Sequence, residues 1–218
     1  MYTGVFFKRY ILGLWAMAEG IIYDMFSEER HVKSVLEFVR VLIDGGRYVS
    51  IDYGTQNATV FLLWNKGRDG KWYCIREYYY SGRDKGVQKT DAEYGEDLKR
   101  FLDGTPVKAV IVDPSAASFI AELNKRGFTV IQADNAVEDG IRLVATLLNT
   151  ERIAFSQSCK NTIMEFASYI WDPKAAERGE DKPIKQHDHA MDAVRYFCYT
   201  ILNNKTVRVK KKSDYGLH

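Results

Sequence analysis

Cysteine is scarce in this chain: Cys74, Cys159 and Cys198 are the three among 218 residues. An odd number spread that widely builds neither a disulfide framework nor a zinc knuckle, and it points to a reducing compartment. Four prolines, and sixteen glycines without a period, exclude collagen-like and low-complexity architectures. No stretch reaches the ~18 consecutive apolar residues of a membrane-spanning helix, so no membrane partner is expected. Residues 1–20 imitate a secretory signal, with Lys8 and Arg9, an apolar stretch over 10–15 and Ala16-Met17-Ala18. Gly13 interrupts that stretch and Phe6 and Phe7 stand on the wrong side of the charges, which argues against a signal. Charge of one sign is also missing. Thirty-one Lys plus Arg against 29 Asp plus Glu leave a formal charge of +2, so any nucleic-acid contact must be a local patch.

What is present is ordinary globular material, 46% hydrophobic and 28% charged, enough for one sizeable core with an appendage. Residues 1–46 form an aromatic-rich lead-in whose last part, 32–42, has helical spacing and is closed by Gly45-Gly46. From Arg47 the pattern changes. Residues 48–53 alternate, 58–64 are β-branched and aromatic, and 72–80 follow the turn Gly67-Arg68-Asp69-Gly70, which predicts three consecutive antiparallel strands. Residues 91–102 read as an amphipathic helix, and 107–112, apolar without alternation, as a central strand buried on both faces. A helix over 116–126, a strand over 128–133 and a helix over 141–148 give a β-α-β-α run on a parallel half-sheet. A strand around 152–155, a helix over 160–171, a polar loop over 172–185 and a last helix over 188–202 follow. The tail, 205–218, begins with a basic run.

Asp52 falls inside a strand-like stretch, where an ionised carboxylate is costly to desolvate unless something positive, such as a metal, neutralises it. An edge strand turned to solvent, or a pair with Arg47 or Lys66, would serve as well. Asp113 ends the predicted buried strand, and open α/β sheets place ligand sites at the carboxyl ends of their strands. It is equally suited to cap a helix, with Pro114 at the first helical position. On the last helix, Ala190, Met191, Val194, Phe197, Cys198 and Ile201 share one face, which is core. Asp192 lies opposite, with His189 one turn before it and Tyr196 and Tyr199 beside it. That face is either the wet side of a helix capped by Asp188 or a surface turned towards a cleft; Asp, His and two Tyr in place of Lys and Glu point to the cleft. Aspartates converging from two strands and a helix suit Mg²⁺ or Mn²⁺, hard ions with oxygen ligands, and two such ions ~4 Å apart serve phosphodiester cleavage.

Several runs occur in one order over roughly 47–202: Ser50-Ile51-Asp52-Tyr53-Gly54-Thr55, Val112-Asp113-Pro114-Ser115, Ala133-Asp134-Asn135 with Asp139-Gly140-Ile141, and Asp188-His189-Ala190-Met191-Asp192-Ala193 with Arg195-Tyr196. Jointly they resemble the nuclease domain of the large terminase subunit of tailed bacteriophages. The segments Tyr10-Ile11-Leu12-Gly13-Leu14-Trp15 and Glu19-Gly20-Ile21-Ile22-Tyr23-Asp24 resemble that family's junction between packaging ATPase and nuclease. The resemblance implies an α/β, RNase H-like fold of the integrase and resolvase superfamily, a central mixed sheet flanked by helices. It divides the chain into an interdomain lead-in (1–46), a nuclease domain (47–204) and a basic tail (205–218).

It further implies that Asp52, Asp113 and Asp192 match a metal-binding acidic triad for two Mg²⁺ or Mn²⁺ ions, Asp52 bridging both and the others holding one each. His189 would assist beside Asp192. Related resolvases often place a glutamate in the triad; no comparable strand-end Glu occurs here, which favours the all-aspartate pattern. No Gly-x-x-x-x-Gly-Lys-Ser/Thr loop occurs, so the family's ATP motor is not expected on these residues. The implied function is endonucleolytic cutting of double-stranded concatemeric DNA during phage genome packaging, in the cytoplasm of the infected bacterial host. Portal protein and small terminase subunit are the expected partners of the full-length protein. Lys182, Lys185 and the tail lysines are candidate phosphate contacts. A junction resolvase or ribonuclease, or a non-catalytic docking module, remain the alternatives.

Overall fold

The computed structural model describes residues 19–43, 45–54 and 57–203. Residues 1–18 of the signal-like stretch, with the first of the junction segments, Thr55 and the basic tail lie outside the described residues. Seven strands form one mixed sheet: β1 (Val32–Lys33), β2 (Tyr48–Asp52), β3 (Ala58–Lys66), β4 (Trp72–Ser81), β5 (Ala109–Val112), β6 (Val130–Gln132) and β7 (Ile153–Ser156), in the order β1-β7-β4-β3-β2-β5-β6. Strands β2, β3 and β4 pair antiparallel, while β5 joins β2, β6 joins β5, β7 joins β4 and β1 joins β7 in parallel. Central β3 is buried over Ala58–Asn65, as a strand covered on both faces must be.

Helices cover both faces. They are α1 (Glu28–His31), α2 (Val35–Val41), α3 (Gly82–Lys85), α4 (Asp91–Leu102), α5 (Ala117–Lys125), α6 (Val137–Asn149), α7 (Lys160–Ser168), α8 (Pro173–Glu177) and α9 (His189–Phe197), which a π-helical turn, Cys198–Leu202, extends. The period of two along each strand sorts the core. Val49, Ile51, Phe61, Leu63, Val110 and Val112 pack with Tyr94 and Leu98 of α4 and Phe119 of α5. Val60, Leu62, Trp64 and Ile111 pack with Ile141 of α6, Phe166 of α7 and Val194 of α9. Among the described residues no helix is long and apolar enough to cross a membrane.

The departures from the expected elements have local causes. Residues 32–42 are not one helix: Val32–Lys33 adds to the sheet beside β7, and Ser34 with Glu37 forms a capping box that starts α2 one residue later. Helix α6 starts at Val137, ahead of the expected 141, with Glu138 and Asp139 in its first turn. Helix α7 stops at Ser168, because Ile170 and Trp171 bridge to Ile21 and Pro183. Ile22 and Tyr23 of the lead-in are buried in the same core as α9.

Candidate active site

Asp52 and Asp113 reach one edge of the sheet for a topological reason. Ile51 of β2 pairs with Val112 of the parallel β5, so the residues that follow leave neighbouring strands at their carboxyl ends. Alternation turns Val49 and Ile51 to the α4–α5 face, and Ser50, whose Oγ accepts from Trp64 Nε1 at 3.0 Å, to the α9 face together with Asp52. There His189 Nδ1 lies 3.0 Å from Asp52 Oδ2.

Spacing alone put His189 beside Asp192. The imidazole reaches across to the strand end, and Asp192 takes other partners: Arg195 donates to its Oδ1 at 2.7 Å and Lys185 to its Oδ2 at 3.1 Å. Lys185 also lies 3.2 Å from Asp188 Oδ2. Helix α9 is not amphipathic in place, since every residue from Ala190 to Phe197 is buried, Asp192 and Arg195 included. Asp188 holds the N-cap position without capping.

Asp113 does not cap the following helix. Its Oδ1 accepts from the Ser115 N–H at 2.8 Å in a local turn, and α5 begins after Ala116, which has no side chain to cap with. Its Oδ2 accepts from Asn135 Nδ2 at 3.2 Å. The Asn135 carbonyl in turn accepts from Arg195 Nη1 at 2.8 Å. A continuous chain of contacts therefore joins Asp192, Arg195, Asn135 and Asp113. Gly140 makes room for it: a Cβ there would lie 2.6 Å from Arg195 Cγ.

Burial is the main cause that raises the Asp52 carboxyl; the His189 hydrogen bond works against it, the charges of Asp192 and Asp188 add to it, and the result is about 6. Burial would lower His189, but its bond to Asp52 and the nearby Asp188 and Glu165 charges raise it above its ordinary value. Lys185 is likewise raised, Asp192 and Asp188 outweighing its desolvation. Asp113 moves the other way, because hydrogen bonds from Ser115, Asn135 and Tyr196 outweigh its burial.

These groups face a cleft of about 370 Å³, lined by Asp52, Asp188, His189, Asp192 and Lys185 together with Tyr79, Ser81, Arg83 and Asp84. Asp113 is not part of its lining, and neither is Lys182, which pairs with Glu180 at 3.0 Å. As they stand, no three His, Cys, Asp or Glu side chains among the described residues are grouped to hold one ion. The donor chemistry nevertheless fits a hard divalent cation: Asp52, Asp188 and Asp192 present carboxylate oxygens to one cleft, and Asp192 already draws two cationic side chains. Sequence reasoning missed Arg195 as a partner of Asp192, Asn135 as a partner of Asp113, and Glu165, which binds the start of α9. Only the first two lay within a run that could have flagged them.

The strand order, the mixed directions and an acidic cleft at the carboxyl ends of β2 and β4 define an α/β domain of the RNase H-like class. A family model described as the terminase RNase H-like domain matches residues 49–200, and the chain belongs to that family. The large terminase of a thermophilic bacteriophage, solved in complex with ADP, is 55% identical, with a TM-score of 0.87 over 93% of this chain and 50% of that one. This chain thus spans half the length of that relative. The P22 large terminase nuclease domain is 20% identical with a TM-score of 0.65, covering 86% of this chain and 94% of that one. The nuclease domain of the SPP1 large terminase g2p is 15% identical with a TM-score of 0.57, covering 82% and 98%. The last two share the fold. No curated protein matches the chain by sequence. Family membership supports a nuclease of phage DNA packaging.

Proposed function

We propose that the chain is a metal-dependent endonuclease that cuts concatemeric double-stranded DNA with little sequence preference while a phage genome is packaged. The observation that carries this reading is the convergence of Asp52, Asp188, His189 and Asp192 in one cleft of an RNase H-like sheet. The SPP1 g2p nuclease domain, solved with bound Mn, supports the choice of cation. Asp52, Asp113 and Asp192 would hold Mg²⁺ or Mn²⁺, two ions in all, with His189 assisting. Bound there, the ions supply Lewis-acid stabilisation of the developing charge and a water that ionises near neutral pH.

The chain's own residues do the rest. His189 holds the Asp52 carboxylate in place from α9. Arg195 fixes one oxygen of Asp192 and, through Asn135, ties it to Asp113. Lys185 and Arg83, which both line the cleft, attract phosphates without reading bases, and Lys182, outside the cleft, is a further candidate contact. ATP hydrolysis is assigned to other residues of the full-length protein, which would also bind the portal protein and small terminase subunit in the host cytoplasm. The test is incubation of the purified chain with supercoiled and linear plasmid in Mn²⁺, Mg²⁺ or EDTA, alongside a four-way junction and an RNA–DNA hybrid. Cutting of duplex at many positions with either ion and none in EDTA is the expected outcome. A folded chain that leaves duplex intact at saturating metal, or that prefers the junction or the hybrid, overturns it.

A further inference from the structure

Helix α9 carries both His189 and Asp192, and its first turn has backbone N–H groups without intrahelical partners. Asp188, at the N-cap position, makes no side-chain cap and lies against Lys185 instead. Glu165 of α7 serves those groups. Its Oε2 accepts from the Ala190 N–H at 2.7 Å and the Met191 N–H at 3.2 Å, and its Oε1 accepts from Tyr79 Oη at 3.0 Å. Glu165 is 4% exposed, so its burial is tolerated only because these donors answer it. Tyr79 itself lines the cleft from β4.

We infer that Glu165 is a positioning residue for the proposed cleavage: a cap supplied from α7, it sets the height and rotation of α9 so that His189 and Asp192 face Asp52, and it leaves Asp188 free to face the cleft. The inference rests on the nuclease reading above. Three elements, β4, α7 and α9, meet at this one carboxylate. A local cap on Asp188 would close the same backbone groups but would turn that carboxylate away from Lys185. A helix held only by its apolar face could still rotate by the few degrees that matter to coordination.

Two variants separate this role from simple core stability. Glu165→Met keeps volume and removes both acceptors; Glu165→Gln keeps one oxygen for the two N–H groups and offers its amide to Tyr79 Oη. The full chain is followed by its Tm in EDTA, by the Mn²⁺ concentration at half the Mn²⁺-induced rise in Tm, and by kcat and KM on linear duplex. Glu165→Met should raise the Mn²⁺ midpoint about ten- to hundredfold and lower kcat at an unchanged KM, with Glu165→Gln within about threefold of wild type. A Glu165→Met chain with a lower Tm in EDTA but a wild-type midpoint and kcat, measured well below that Tm, overturns the proposal. If Glu165→Met does not fold, Glu165→Gln decides: a midpoint close to wild type supports the cap, and one shifted tenfold or more overturns it. Wild-type chain that neither gains Tm with Mn²⁺ nor cuts refutes the nuclease reading instead. Amide exchange at Ala190 and Met191 then reads the cap alone, and equal rates in wild type and Glu165→Met overturn it.

Discussion

On the face of the sheet covered by α4 and α5, Asp97 is 6% exposed and answers three donors, Tyr78, Lys89 and Arg100. Burial alone would raise its carboxyl, and those hydrogen bonds outweigh it and hold it below the usual range. On the α9 face the Asp52 side chain, 15% exposed, is held by His189, but its burial, with the charges of Asp192 and Asp188 adding to it, outweighs that bond and its carboxyl rises to about 6. One residue type on two faces of one sheet has opposite electrostatic balance. A cluster that only ties α4 to β4 can neutralise its carboxylate fully. In the α9 cluster Arg195 and Lys185 answer Asp192, whereas Asp52 is held by His189, and it is at Asp52 that burial stays uncompensated.

The strongest test breaks the two clusters in turn. Asp52→Asn and Asp192→Asn should each lower plasmid cutting about a thousandfold or more, since losing a ligand removes several kcal/mol of transition-state stabilisation. Asp52→Asn should also raise the Tm in EDTA, because a neutral amide is cheaper to bury there than a carboxylate. Asp97→Asn should do the reverse: normal cutting below its transition, and a loss of about 2 kcal/mol from leaving Lys89 and Tyr78 poorly answered. Plasmid assays at 25 °C and thermal unfolding of the three variants check this. Cutting by Asp52→Asn, or its loss in a folded Asp97→Asn, would remove the distinction.

The three antiparallel strands were legible because alternation and β-branched runs are local signals, and so was the strand-end position of Asp113. Helix α9 was legible from its apolar spacing, but the fate of its polar residues was not. Asp188 has the sequence of an N-cap, and only the contact from Glu165, a residue of another helix, frees it. Glu165 stands inside the expected helix over 160–171, where no local signal marks its contact with α9. Asn135 and Gly140 stood in a noted run, yet their use depends on Arg195, which meets them only in the folded chain. Strand β1, two residues long, is too short to display a period.

The carboxylates on the two faces also respond to pH in opposite senses. Asp97 and Asp113 are lowered, so the stability they contribute is present above the unfolded value of 3.8 and is lost as pH falls. Asp52, raised to about 6, and Glu165, raised to about 7, bind protons more tightly in the folded chain, so their contribution is full at low pH and declines as pH rises to those values. His189, raised above 6.5, continues the decline. The Tm in EDTA should therefore fall by about 5 °C between pH 5 and 8, and Asp52→Asn should flatten the first part of the slope. Mn²⁺ should reverse the trend, because deprotonated ligands bind the ion. Differential scanning calorimetry with and without Mn²⁺ checks it. A wild-type Tm in EDTA that is flat or rising from pH 5 to 7 would show that the α9 cluster is as fully answered as Asp97.

The smallest expected effect concerns the cation that partly answers this cluster. Lys185 lies within 3.2 Å of both Asp188 and Asp192, so an ion approaching Asp192 must displace it. Its side chain is 63% exposed, and solvent screens the pair, so the competition is modest. Lys185→Ala should lower the Mn²⁺ midpoint about two- to fivefold, the equivalent of a weak ion pair. The displaced ammonium is also the group best placed to meet a phosphate, so the same variant should raise KM for duplex and reduce its salt dependence by about one counterion. Tighter metal and weaker DNA from one substitution is a combination that general destabilisation does not give. Lys182→Ala, whose partner is Glu180 outside the cleft, should leave the Mn²⁺ midpoint alone. A midpoint that rises in Lys185→Ala would mean that the lysine holds Asp192 ready for the ion instead of competing with it, and that the α9 cluster is short of positive charge by less than its contrast with Asp97 implies.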